Sequence, residues 1–394
     1  MKRCFGSSST LFRLYLLVGV LALALPVTAF SQIKVGLTLS ITGAAAPLGV
    51  PQRNTVVLLP REVGGQTIEY IVRDDGSDAA RAVKNLRQLL ADDGVDVVLG
   101  SSTAAASLAM VDAAGEAQVP LIDLAGAGGA VEPLTGARRW VYEAAPTDGL
   151  VASALVGAMR KQHVRTLGFI GFADARGQNW LKEISRYAKE SGIRVVATER
   201  YDPSDSAVAG QVARLIAAHP DAILIAAAGR PAILPQHELK SRGYKGIIYQ
   251  TPGAANRSVL HACGRDCNGL FLAASPLLVA GELLDENPVK KTALRYKRLF
   301  EARYGAHTAE AAGGYVWDAG QLVAQAIPAA LKMGAKPGTL LFRAALRDAL
   351  ENTRNFLGSQ GAFTMSPTDH VGLGARGCVI VEVVDGRWTY RPDL

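Results

Sequence analysis

No Gly-x-Ser-x-Gly string occurs in this chain, so the sharp strand-to-helix turn that presents a hydrolase serine has no candidate. A dinucleotide fingerprint is missing too: Gly126 and Gly128 begin one, but Val131 stands where the third glycine would be. The six histidines are scattered, with no metal-ligand spacing. Without a nucleophile, a phosphate cradle or a metal cluster, the chain is not expected to be an enzyme or to carry a cofactor. Basic residues outnumber acidic ones by 42 to 35. They are spread along the chain rather than gathered into the stripe that tracks a phosphate backbone, so no nucleic-acid partner is expected. Long polar or low-complexity linkers are also absent.

The apolar run Leu14–Leu25 is too short to span a bilayer comfortably. Lys2, Arg3 and Arg13 precede or flank it, and Pro26–Ser31 supplies a small-residue cleavage region. Residues 1–31 therefore read as a signal peptide, which implies export of a soluble protein to the periplasm. Cys4 lies before the run and cannot be the lipid-bearing cysteine that would follow it. Removing this leader lowers the formal net charge of +7 by three, to +4. What remains exceeds what a single hydrophobic core usually supports, so two lobes are expected.

Cysteine is scarce. Cys263 and Cys267 sit four apart in a Gly/Asn/Asp-bearing loop, which in an exported protein suggests a local disulfide. Two free thiols are the alternative, and zinc would need more ligands than His261 nearby. Cys378, inside Gly377-Cys378-Val379-Ile380-Val381, reads as a small buried hydrophobe.

What the chain does have is a regular alternation of strand and helix. Val95–Leu99 reads as a buried parallel strand, Thr103–Ala117 as a helix, and Val119–Ile122 as the next strand, followed by the small-residue loop Ala125–Gly129. Such a βαβ unit puts two loops at the carboxyl edge of one sheet, where ligands bind in open parallel sheets. Ser101, Ser102, Thr103 and Ser107 offer hydroxyls near a helix N-terminus that favours a carboxylate. Ala125, Gly126 and Ala127 let a ligand approach the main chain. Thr103 as a plain N-cap and the glycine-rich segment as a plain turn are the alternatives.

Before this unit, strands at 33–39 and 67–72 flank a loop at 40–49 and a helix at 52–63, and a helix capped by Asp78 runs to Leu90. After it, Ala144–Asp148 reads as a hinge. Helices are expected at 150–160, 178–190, 207–218 and 231–242, and strands at 166–172, 193–199, 222–227 and 246–250. A return crossing falls at Ala273–Pro276, then helices at 288–304, 311–331 and 338–351. Gly361–Thr364 and Gly377–Val384 read as a terminal strand pair closed by the Asp385-Gly386 turn. The fold class is α/β. Residues 32–146 and 276–356 are assigned to lobe one, and 147–275 and 357–394 to lobe two.

Several elements together carry a family resemblance: Ile33-Lys34-Val35-Gly36 with Thr42-Gly43, Asp74-Asp75, Gly100-Ser101-Ser102-Thr103, Val119-Pro120-Leu121-Ile122, Phe172-Ala173-Asp174 and Tyr315-Val316-Trp317-Asp318-Ala319. In order and spacing the chain resembles the leucine/isoleucine/valine-type periplasmic binding proteins that serve ATP-driven (ABC) importers. Within them it is most similar to the branch that takes aromatic and other small carboxylates, through Trp180-Leu181-Lys182-Glu183, Tyr249-Gln250-Thr251 and Met365-Ser366-Pro367-Thr368-Asp369-His370. The resemblance implies a type I two-lobed fold with a multi-crossing hinge. It also implies a small-molecule ligand in the interlobe cleft, transient docking on an inner-membrane ABC permease, and action as a monomer without metal or cofactor.

Three departures bear on the ligand. Amino-acid-binding relatives keep, at the position of Pro252, an acid that pairs with the ligand's ammonium, and proline cannot. Where they have a serine or threonine, this chain has Ala104. Where they have an aromatic residue, it has Arg176, whose guanidinium suits a carboxylate. Arg230 could act likewise, while Arg176 pairing with Asp174 and Arg230 solvating a helix start are the alternatives. The expected ligand-binding residues are thus Ser102, Thr103, Ser107, Ala125, Gly126, Ala127, Phe172, Arg176, Arg230, Gln250, Thr251 and Asp318, the last alternatively a hinge anchor. A true amino-acid carrier and a periplasmic sensor for a membrane receptor remain as rival functions. A cytosolic repressor does not, because a leader stands where its DNA-binding helices would be.

Overall fold

The computed structural model describes Met1, residues 32–374 and residues 377–394. The expected leader, with Cys4, lies outside the described residues apart from Met1. No helix among the described residues is long and apolar enough to cross a membrane.

The first sheet is built from β1 (Ile33–Leu39), β2 (Glu62–Val63), β3 (Gln66–Asp74), β4 (Val97–Leu99), β5 (Leu121–Asp123) and β6 (Val141–Glu143), in the order β2-β3-β1-β4-β5-β6. All its pairings are parallel except that of β2 with β3. Parallel strands need helical crossovers. Here these are α1 (Ala46–Thr55), α2 (Ala79–Ala91), α3 (Ala104–Glu116) and the short α4 (Gly128–Val131). Asp78 and Thr103 cap α2 and α3 by accepting N–H groups from Arg81 and Ala106.

The second sheet joins β7 (Thr166–Phe172), β8 (Arg194–Tyr201), β9 (Ala222–Ala226), β10 (Ile247–Gln250) and β11 (Leu270–Ala274) in parallel. The antiparallel pair β14 (Val379–Val384) and β15 (Arg387–Tyr390) is added beside β11. Its crossovers are α5 (Asp148–Lys161), α6 (Ala175–Glu190), α7 (Ala209–Ala217), α8 (Ile233–Ser241) and α9 (Arg257–Cys263). The end of α9 is tied by a disulfide between Cys263 and Cys267, whose Cα atoms are 5.7 Å apart; Cys378 is a buried thiol.

Each sheet has its own core. Between β11 and β14 the chain returns to the first sheet with α10 (Lys290–Tyr304), α11 (Ala311–Lys332) and α12 (Leu340–Glu351). Their apolar faces, including Tyr296, Phe300, Trp317, Leu322, Ile327, Phe342 and Leu346, pack on Val35, Leu37, Val97 and Leu99. The opposite face of that sheet is covered by Leu86 and Leu89 of α2 and Met110 and Ala114 of α3. In the second lobe, α5 and α6 cover one face and α7, α8 and α9 the other.

Three expectations change. The segment 361–364 does not pair with 377–384. Instead β12 (Phe356–Leu357) and β13 (Ala362–Phe363) form their own hairpin, while Asp385-Gly386 turns β14 into β15. Phe363, Met365 and Leu373 are buried with the first lobe's core, whereas Cys378 and Ile380 belong to the second. The chain's last crossing therefore falls between residues 373 and 378, not at 356/357. The loop expected at 40–49 also turns helical from Ala46, because Pro47 in the first turn has no N–H to lose there.

Candidate functional site

The carboxyl ends of β4 and β5 form one wall of the space between the lobes. Three of its hydroxyls face inward. Ser101 Oγ donates to Asp75 (2.7 Å), Ser102 Oγ donates to Gln52 and accepts Ser40 N–H (2.9 Å), and Ser107 Oγ donates to Asp123 and accepts Ser101 N–H (3.1 Å). All three are buried. Ser102 and Ser107, expected to face ligand, therefore hold the wall's shape. Asp75 gathers this network by also accepting Ser40 Oγ–H (2.7 Å) and Ser77 N–H (3.0 Å). Thr103 is the one hydroxyl of the group that stays half-exposed, and it caps α3, whose first N–H groups point out of the helix end.

The loop after β5 has a similar inward bias. Asp123 accepts the N–H groups of Ala125 (3.0 Å) and Ala127 (2.9 Å), and Glu143 accepts those of Gly126 (3.3 Å) and Ala145 (3.0 Å). The main-chain donors expected to meet a ligand at 125–127 are thus already engaged, and the loop offers a small apolar face instead. Gly126 is required there. Its φ is +70°, and a Cβ would lie 2.4 Å from the Pro146 carbonyl oxygen.

The second lobe's wall is different. Asp174 caps α6 through Gly177 N–H (2.8 Å) and does not pair with Arg176. Arg176 is exposed and makes no ion pair within 4 Å among the described residues. Its guanidinium does act at longer range. Burial lifts the Asp148 carboxyl above its ordinary range, and Arg176 is the leading charge opposing that lift. Arg230 is likewise exposed, on the turn Arg230–Ala232 beside Gly229, whose N–H reaches the Gly253 carbonyl (3.0 Å).

Phe172, Gln250 and Thr251 are turned into the second lobe. The Phe172 ring lies edge-on to Tyr201 with centroids 5.3 Å apart. Gln250 Nε2 donates to Gln236 (3.2 Å), and Thr251 Oγ donates to the Ala227 carbonyl (2.9 Å). These expected ligand contacts are packing and strand-end bonds. Pro252 opens the next turn and is half-buried.

Asp318 is engaged by main-chain N–H groups. Fully buried on α11, it accepts Ser359 N–H (2.6 Å) and Gln360 N–H (2.9 Å), and burial pushes its carboxyl up to about 7. Gln360 in turn contacts Ser275 and donates to the Ala311 carbonyl (3.0 Å), so the 275–276 crossing and the β12–β13 hairpin are pinned to one helix. One turn earlier on α11, half-exposed Tyr315 was missed by the sequence reading. Burial raises its phenol, and Arg176 from the other lobe is the cation that opposes this. The signal was present: Tyr315 lies three residues before Asp318, on the same helix face.

Two α/β lobes joined by several crossings, with Thr103 and Tyr315 on one side and Arg176 and Arg230 on the other, define a bilobal small-molecule-binding protein. The family described as periplasmic binding protein matches residues 32–387, and the chain belongs to it, in the leucine/isoleucine/valine-type group. Two solved structures of extracellular ligand-binding receptors from Rhodopseudomonas palustris HaA2 are similar. One is 39% identical over 92% of this chain and 100% of that one, with a TM-score of 0.85. The other is 36% identical over 91% and 99%, with a TM-score of 0.84. The branched-chain amino acid transporter substrate-binding protein LivJ from Streptococcus pneumoniae, in complex with isoleucine, shares the fold at 19% identity and a TM-score of 0.73 over 91% of this chain and 100% of that one. Comparison with the curated proteins gave no match.

Proposed function

We propose that this chain is the substrate-binding component of an ABC importer and that its ligand is a small carboxylate without an ammonium group, such as an aromatic acid or a keto acid. The observation that carries this reading is the second lobe's rim: two exposed guanidiniums, Arg176 and Arg230, without ion-pair partners among the described residues, and proline at 252. The nearby acids are already answered. Asp148 accepts Asn179 Nδ2–H (2.9 Å) and faces Arg176, and Glu310 faces Arg257. An ammonium buried on closure would lack a counter-charge, at a cost of several kcal/mol. The carboxylate would sit between Arg176 and the Thr103 end of α3, with Tyr315 and the small loop 125–127 enclosing the rest. In this reading the protein is exported and works as a monomer, meeting its permease transiently.

Asp148 supports a second reading. A half-buried carboxylate at the first crossing is where an amino acid's ammonium could be held. A thermal-shift and calorimetry panel separates the two. A keto or aromatic acid should bind more tightly than the matching α-amino acid, and a ligand at a hundred times its Kd should stabilise by about 2.7 kcal/mol. Micromolar binding of leucine or valine, with no binding of their keto acids, would return the protein to the amino-acid branch.

A further inference from the structure

Asp123 and Glu143 stand opposite each other on neighbouring parallel strands, both with 0% exposure, and neither carboxyl has an ion-pair partner among the described residues. Asp123 is saturated with donors. It accepts the Ser107 hydroxyl and the N–H groups of Ala125 and Ala127. Glu143 Oε1 accepts Gly126 and Ala145 N–H, but no donor in the described residues is directed at its Oε2. Two buried carboxyl groups side by side with no cation between them cannot both stay charged, so one keeps its proton. Because Asp123 already receives three donors, the proton belongs on Glu143.

We infer that Asp123 and Glu143 form a one-proton bracket, acting as positioning residues that couple the cleft loop 125–127 to the first interlobe crossing at 144–148. The coupling is direct, since one oxygen of Glu143 holds an amide from each segment, Gly126 from the loop and Ala145 from the crossing. Gly126 also packs against Pro146 of that crossing. A displacement of the loop by a ligand is therefore transmitted to the crossing through the Glu143 side chain, beside the Gly126–Pro146 contact and the bond from Ala144 N–H to the Asp123 carbonyl (2.9 Å). Burial and the adjacent Asp123 charge push the Glu143 carboxyl well above the usual carboxylate range, in keeping with a retained proton. The titratable groups facing it are Asp123 from β5 and Tyr315 from α11.

The inference relies on 125–127 being cleft wall, but its test needs no ligand, so a failed carboxylate panel would overturn the proposed ligand alone. Wild type, Glu143→Gln and Asp123→Asn are unfolded in urea between pH 5 and 9, and amide exchange is followed at residues 125, 126, 127 and 145. A folded-state carboxyl raised above its unfolded value loses its stabilising contribution as pH rises. Wild-type stability should thus fall with pH by about one proton more than that of Glu143→Gln. Asp318 is present in both and cancels. Glutamine can donate to Asp123 while accepting both amides, so Glu143→Gln should keep residues 126 and 145 protected. Asparagine at 123 sets an amide donor against N–H donors, and exchange at 125 and 127 should rise about tenfold or more. Equal pH slopes, lost protection or misfolding in Glu143→Gln, or a silent Asp123→Asn would each overturn the bracket.

Discussion

The two walls of the cleft use polar residues in opposite ways. On the first lobe, serines, aspartates and a glutamate are consumed in a buried network, so a stretch rich in hydroxyls presents mainly a shaped, nearly apolar surface. On the second lobe, the polar side chains at the strand ends are also turned in, but two arginines stand out from the rim. In the proposed reading this is a division of labour: the first wall supplies preorganised shape and the second supplies charge. Exposed cations are solvated at little cost, and an anion buried against them in the proposed closed state would gain most.

The sharpest way to break this comparison is to remove the centre of the first wall. Asp75→Ala strands the hydroxyls of Ser40 and Ser101 and the N–H of Ser77, and should cost about 3–5 kcal/mol in urea unfolding. A near-neutral result would mean that the network is not structural. Arg176→Ala tests the second wall. It should weaken carboxylate binding by roughly 2–5 kcal/mol in calorimetry, while the ligand-free protein loses less than about 0.5 kcal/mol. If the two effects came out reversed, the walls would have exchanged roles.

The hinge gives the next effect. With its carboxyl raised to about 7 by burial, Asp318 contributes stability that is present below the ordinary carboxylate range and is lost as pH rises toward 7. Asp318→Asn should flatten that part of the stability profile, read by thermal unfolding from pH 4 to 8, whatever it costs at fixed pH. The smallest expected effect is at Thr103. Removing the cap in Thr103→Ala should cost about 1 kcal/mol in stability, and Thr103→Ser should restore both stability and ligand affinity. Loss of stability without loss of affinity would confine Thr103 to capping.

The alternation of strands and helices was legible because apolar periodicity was strong: the strand 166–172 and the start of the long helix at Ala311 coincide with their expected positions. The start of the helix at 46–55 was hidden by Pro47 and Gly49, which read as a loop although Pro47 is harmless in a first turn, and the helix expected at 52–63 ends in the turn Val56–Leu58 and gives way to the strand Glu62–Val63. The short strand 362–363 found a partner only five residues upstream, too close for the hairpin drawn from turn residues at 385–386. In the site, residue type was legible and orientation was not. Whether Ser102 or Ser107 faces in or out depends on Gln52 and Asp123, which reach them through the fold rather than through spacing. The cysteine pair could be read because its partners are only four residues apart.

The interleaving of the lobes has a consequence for the order of synthesis. All six strands of the first sheet have been made by residue 143, yet the helices that cover one of its faces run from 290 to 351. Pulse proteolysis of stalled chains ending near 285 and near 355 would register that interval as a change from cleavable to resistant. While residues 144–289, which include five of the second sheet's seven strands, are being made, the apolar face of the first sheet stays open to anything that binds greasy surface.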